Sequence, residues 1–294
     1  MTQTQLCAFL YSPLSLGLVW EHGASILVND MRQTLKMFQT YREEMNALPM
    51  AQHCWEAGVQ SGRIVSHERF DLYLPNQSKF SKKNQYQQKQ GLIFLPGLMV
   101  NHRAYANCAK RLSDEGIIVV VVSAEPLRMP AKLLGCDASD IRRIQNSVEA
   151  LLLQNNNQHR ACMQLQVEWS LGGHSFGAYR AMALANALNV RKLVIWAAGS
   201  FEEYIPKQLS SAHIRVLAIH ADRDRICSFS SEEEYARFKL KMPSGAIHFM
   251  VNGGNHAGFA SYPKNAFEIE SRISRRVQHE RICGRTAKFL VNSQ

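Results

Sequence analysis

Six short apolar runs recur through the chain, at Gly91–Leu95, Ile117–Val122, Val167–Leu171, Leu193–Ala197, Val216–His220 and Ile247–Val251. Each is rich in β-branched residues and bounded by Gly, Pro or charge, as strands buried on both faces are. Longer amphipathic stretches lie between them, and helices are expected at Tyr105–Glu115, Ser139–Gln154, Gly177–Leu188, Ser231–Leu240 and Glu268–Leu290. Ser231 and Glu234 form a capping-box start for the fourth of these. Strand and helix in alternation is what the crossovers of a mainly parallel sheet require, so the fold class is α/β with helices on both faces. Upstream, Gly62–Val65 and Phe70–Leu74 flank a polar turn and are expected to add an antiparallel hairpin at the sheet edge.

Residues 1–58 do not follow this alternation. They read as an N-terminal extension, helical over Ile26–Met45, ahead of one domain spanning 59–294. At 294 residues and 46% hydrophobic composition, the chain buries a core large enough for that. Leu6–Trp20 is apolar, but Ser12-Pro13, Ser15 and Gly17 interrupt it, and it falls short of the ~20 residues of a membrane span. The first basic residue is Arg32, which does not suit a secretory signal. Seven cysteines, an odd count without a C-x-x-C pair, fit a reduced, cytoplasmic protein. The formal charge of +10 does not gather on one stripe: Lys79, Lys82, Lys83 and Lys89 fall in a polar loop, and Arg272, Arg275, Arg276, Arg281 and Arg285 read as the wet face of the last helix. Nucleic acid is therefore not an expected partner. H-E-x-x-H, the phosphate-binding G-x-x-x-x-G-K-[ST] and G-x-G-x-x-G after a strand are all missing from the sequence. Neither a metal nor an organic cofactor is expected, and the partner is a small molecule.

Gly173-His174-Ser175-Phe176-Gly177 matches G-x-S-x-G, with a strand directly before it and a helix directly after. A bare match arises by chance in about one chain in ten; the strand–turn–helix context is what gives it weight. Ser175 then occupies a strained turn that aims its hydroxyl into the cleft, and the glycines leave room for that turn. A serine hydroxyl is a poor nucleophile until a base takes its proton, so a carboxylate and a histidine are required further along the chain. Asp224 follows the strand Val216–His220, and His256 follows the strand Ile247–Val251, behind Gly253-Gly254-Asn255. Asp224 is preferred over Asp222 because the loop must leave the strand before its carboxylate reaches the histidine; Asp222 is the reserve. His174, His248 and His279 are assigned to structure. The oxyanion is expected to take one backbone N–H from Phe176 and a second from Leu98, in the Pro96-Gly97 turn.

With these segments in place, the chain resembles the α/β hydrolases of the dienelactone-hydrolase-like, or alpha/beta hydrolase family 5, type. The resemblance rests on Phe94-Leu95-Pro96-Gly97 with Ala104-Tyr105, on Trp169 to Gly177, on Leu193 to Ala198, and on Gly253 to Phe259; it covers roughly residues 91 to 291. Ala178 and Ala221 stand where the family usually has glycine. The resemblance implies the α/β-hydrolase fold and an esterase-like serine hydrolase without metal or cofactor, its substrate a small ester or related acyl compound. Only a short segment, Ser200 to His213, is available where many relatives insert a lid, so no large lid insertion is expected. Two alternatives stay open: a non-catalytic ligand-binding protein of the same fold, and a thioesterase or acyl-transferring variant of the same triad.

Overall fold

The computed structural model describes residues 43, 45–76, 89–123, 137–156, 166–199, 205–209, 213–264 and 268–292. The chain divides into two compact units between Met45 and Asn46. The helix expected over Ile26–Met45 falls almost wholly outside the described residues. Residues 46–58, read from sequence as part of the extension, belong to the second unit. There helix α1 (Pro49–Gln60) starts with proline at its first turn, a position where the missing N–H is harmless, and Leu48 N–H donates to the Ser261 carbonyl at 2.7 Å. Only Ala51 and Gly58 of α1 are buried, so its sequence carries little apolar signal.

Eight strands form one sheet: β1 (Ile64–His67), β2 (Phe70–Tyr73), β3 (Lys89–Leu95), β4 (Ile118–Val122), β5 (Val167–His174), β6 (Lys192–Trp196), β7 (Arg215–Ala221) and β8 (Ile247–Val251). Their order is β1-β2-β4-β3-β5-β6-β7-β8. β1 and β2 make the expected hairpin, and β2 runs antiparallel to β4; from β4 to β8 the pairing is parallel. β5 runs three residues past its expected end, through Gly172, Gly173 and His174, so the strand delivers its C-terminal edge directly to Ser175.

Side-chain alternation divides each strand between two layers. Ile93, Leu95, Val120, Ile195 and Ala218 face one core, packed by α3 (Ala138–Asn156), α4 (Phe176–Ala185) and α5 (Glu232–Leu240). On the opposite face lie α2 (Ala106–Asp114) and α6 (Arg275–Val291). There Trp196 is fully buried against Phe94, and its indole N–H donates to Thr286 Oγ1 of α6 at 3.1 Å. A buried indole N–H needs such a partner, which fixes the depth at which α6 docks.

Two helix starts differ from expectation. Ser231 caps α5, accepting from Glu234 N–H at 3.3 Å, but the Glu234 carboxylate turns back to Ser230 rather than Ser231. Helix α6 begins at Arg275, not Glu268: Ser274 is its N-cap, accepting from Val277 N–H. In the preceding stretch the buried Glu268 carboxylate accepts the Ala257 N–H. The arginines expected on the wet face of α6 are also partly engaged. Half-buried Arg275 donates to the carbonyls of Ala260 and Tyr262, and Arg281 to that of Asn252.

The link from Trp196 to Arg215 is short and holds, among the described residues, one turn of 3-10 helix at Lys207–Leu209. Among the described residues no lid stands there. Among the described residues no helix is long and apolar enough to cross a membrane, and no group of three or more His, Cys, Asp or Glu side chains is placed to hold a metal ion.

Candidate active site

The C-terminal ends of β3, β5, β7 and β8 meet at one rim of the sheet, where open α/β sheets place their ligands. Four non-glycine residues among those described have left-handed φ, and three lie at this rim: Met99 after β3, Ser175 after β5 and Ala197 after β6. Backbone strain of this kind persists only where the surroundings enforce it. At Ser175, with φ 54° and ψ −123°, the enforcement is visible: its N–H donates to the Trp196 carbonyl at 2.8 Å, and α4 leaves immediately afterwards. The glycines of the motif permit this turn. A Cβ on Gly177 would run into the carbonyl oxygens of Leu95 and Pro96, and one on Gly173 into the Gly177 carbonyl.

Asp224 and His256 are brought together directly. Asp224 Oδ2 lies 2.8 Å from His256 Nδ1, with both residues buried. The other carboxylate oxygen, Oδ1, accepts the N–H groups of Ile226 and Cys227, each at 2.8 Å, so the carboxylate is held from both sides. Asp222 takes a different part: its Oδ1 accepts the Gly253 N–H at 2.6 Å, anchoring the loop that carries the histidine. The Arg223 side chain goes to the Glu270 carbonyl. With Nδ1 engaged, Nε2 is the ring nitrogen of His256 that remains for a hydroxyl.

Ser175 lies at the same rim, but its hydroxyl meets the Cys227 thiol rather than the His256 ring. The ring of His174, its immediate neighbour, lies 4.6 Å from the His256 ring, centroid to centroid. The Ser175 hydroxyl rests 3.9 Å from the Cys227 thiol, and the Cys227 N–H is one of the two donors on Asp224. The sequence assigns His174 a structural part away from the site; instead it is buried directly against the His256 ring. His248 and His279 lie in β8 and α6, as assigned. At the neighbouring strand end, Leu95-Pro96-Gly97 turns over, with Val100 N–H donating to the Gly97 carbonyl at 3.1 Å. That bond uses the Val100 N–H, not that of half-buried Leu98. Phe176 is the first residue of α4, where N–H groups point out of the helix. A cavity of about 390 Å³ opens beside Asp224 and Cys227, walled by Phe229, Tyr235 and Met250.

Three further side chains support the histidine loop without any motif to announce them: Asp222, already described, Gln278 and Glu268. Gln278 of α6 accepts from the Asn255 N–H and donates to the Asn255 carbonyl, closing a two-bond clamp. Glu268 holds the Ala257 N–H. Burial pushes the His256 ring down, but the charge and hydrogen bond of Asp224, with a weaker pull from Glu268, outweigh it and leave the pKa above the ordinary histidine value. A ring that serves as a base must be neutral to accept a proton, so an activity that depends on it is expected to rise as pH passes through this pKa. Glu268→Gln keeps an oxygen for the Ala257 N–H but removes the charge, and it is expected to move the acidic limb of the kcat/KM profile to lower pH. An unmoved limb in a pH–rate series would show that Glu268 does not act on the ring.

The chain matches the model of the "Alpha/beta hydrolase family" over residues 91–280. No curated protein matches it in sequence. Solved structures similar to it include an alpha-beta serine hydrolase homologue from Coxiella burnetii, at 19% identity over 66% of this chain and 87% of that one, with TM-score 0.44. Another is an a/b serine hydrolase without lid from Xanthomonas campestris, at 15% identity over 79% of this chain and 95% of that one, with TM-score 0.47. A third is the fluorophosphonate-binding serine hydrolase FphF of Staphylococcus aureus, at 13% identity over 79% of this chain and 95% of that one, with TM-score 0.49. With the family model covering well over half of the sequence, this chain belongs to the alpha/beta hydrolase family.

Proposed function

We propose that the protein is a serine esterase in which Ser175 attacks an ester carbonyl, His256 takes the serine proton, and Asp224 orients the imidazole. The observation that carries this reading is the buried Asp224–His256 pair at 2.8 Å, set at the same rim as a serine in a strained elbow. The step balances simply. The Ser175 oxygen bonds to the carbonyl carbon, the His256 imidazolium returns the proton to the leaving alkoxide, and water then releases the acid by the same route in reverse. The Phe176 and Leu98 N–H groups take the oxyanion. The reading requires the Ser175 hydroxyl to turn from the Cys227 thiol to His256 Nε2 when substrate binds. The short β6–β7 link and the cavity beside Cys227 favour small, accessible acyl substrates over long lipids.

The test is covalent. A fluorophosphonate probe is expected to add one equivalent to the peptide containing Ser175, and short p-nitrophenyl esters to be hydrolysed until that label forms. Adduct on any other residue, or ester turnover that survives full labelling of Ser175, would refute the assignment. Running thioesters and amides beside the esters separates an esterase from a thioesterase. Ligand binding with no turnover of any of them would favour the binding-protein reading.

A further inference from the structure

We propose that the Tyr105 hydroxyl is a positioning residue for the oxyanion turn, tying that turn to the elbow through His174; the inference rests on the triad reading above. Tyr105 ends the 3-10 turn His102–Tyr105 between β3 and α2 and is 1% exposed. Its hydroxyl sits between two groups from different strand ends: the Gly97 N–H donates to it at 2.9 Å, and His174 Nδ1 lies 2.8 Å away. The hydroxyl therefore bridges the Gly97 peptide and the His174 ring. Burial and the neighbouring His256 both push the His174 ring well below the ordinary histidine range, so the ring is neutral.

The chain Gly97 N–H to Tyr105 hydroxyl to His174 Nδ1 holds the Gly97 peptide, and with it the orientation of the next N–H, that of Leu98. Burial keeps the ring packed on His256 uncharged, so the imidazolium formed during proton transfer does not face a second cation at 4.6 Å. The fit is close: a Cβ on Gly97 would stand 3.1 Å from His174 Nδ1 and 3.4 Å from the Tyr105 hydroxyl. Without the hydroxyl, the buried Gly97 N–H loses its partner and the turn is free to rotate.

Tyr105→Phe keeps the ring that packs on Phe94 and His174 and deletes only the link. It is expected to lower kcat on p-nitrophenyl acetate by about 10- to 100-fold, with KM unchanged, and to weaken binding of a boronic acid transition-state analogue by the same factor. His174→Phe should match it, and the double variant should be no worse than either single one, because all three break one chain. His174→Asn, whose side-chain oxygen takes the place of Nδ1, should recover most of the rate. Wild-type kcat and analogue affinity in Tyr105→Phe would overturn the inference. So would a loss that His174→Asn shares with His174→Phe, or a kcat loss that analogue binding does not follow. Failure of the triad reading is told apart because the wild type itself would then neither label nor turn over.

Discussion

Ser175→Ala, His256→Ala and the variant carrying both are expected to hydrolyse p-nitrophenyl acetate at one shared residual rate, about a million-fold below the wild type in kcat. In the proposed mechanism hydroxyl and imidazole act as a single unit, so removing the second should do nothing once the first is gone. Asp224→Asn should be milder, about ten-thousand-fold, for a reason specific to this site. Asp224 Oδ1 accepts two backbone N–H groups, from Ile226 and Cys227. An asparagine must leave its oxygen there, which turns its NH2 toward His256 Nδ1. The imidazole is then forced to accept at Nδ1 and carry its proton on Nε2, the nitrogen that should take the serine proton. Geometry survives while the tautomer is wrong. Losses that multiply in the Ser175/His256 double variant, or an Asp224→Asn enzyme close to wild type, would remove the unit from the mechanism. Steady-state rates and burst amplitudes decide it.

The strands, the crossover helices and the order Ser175, Asp224, His256 are legible because each depends on short-range rules: buried parallel strands read as apolar runs, and a sharp elbow needs glycine. The choice between Asp224 and Asp222 also follows from local reach, since a residue further from the strand can turn back to the rim. What escapes sequence reading acts at long range. Glu268 and Gln278 hold the His256 loop from segments whose own pattern is that of a helix. Cys227 belongs to no motif, and Tyr105 is read only as part of the segment that resembles the family; only the packed sheet rim brings one to Ser175 and the other to His174. The packing of His174 on His256 escapes for the same reason, since the two rings come from different strand ends. Helix α1 reads as part of an extension because its buried face is two small residues wide.

Gly177→Ala is expected to abolish folding of the enzyme, whereas Gly284→Ala, the same chemical change, should raise Tm. At Gly177 the added methyl meets the carbonyl oxygens of Leu95 and Pro96 and the Leu95 carbonyl carbon. Leu95 ends β3, a strand paired on both sides, with β4 and β5, and Pro96 follows it directly. Relief requires moving a central strand or the first turn of α4, and forced overlap with atoms that cannot yield destabilises by several kcal/mol. That is a large part of the whole stability of a domain, which is about 5–15 kcal/mol. Gly284 lies on the exposed side of α6, and a methyl added there would find nothing within 4 Å. Alanine at that position only restricts the unfolded chain and favours the helix, a gain of about 0.5–1 kcal/mol. The contact that excludes a methyl at Gly177 also presses the start of α4 against the end of β3, the approach that the proposed mechanism needs if the Phe176 and Leu98 N–H groups are to serve one oxygen. A soluble Gly177→Ala protein with wild-type melting and full ester turnover would mean that this close approach is not what builds the site. Thermal melts of the two variants, read beside fluorophosphonate labelling rates, separate the outcomes.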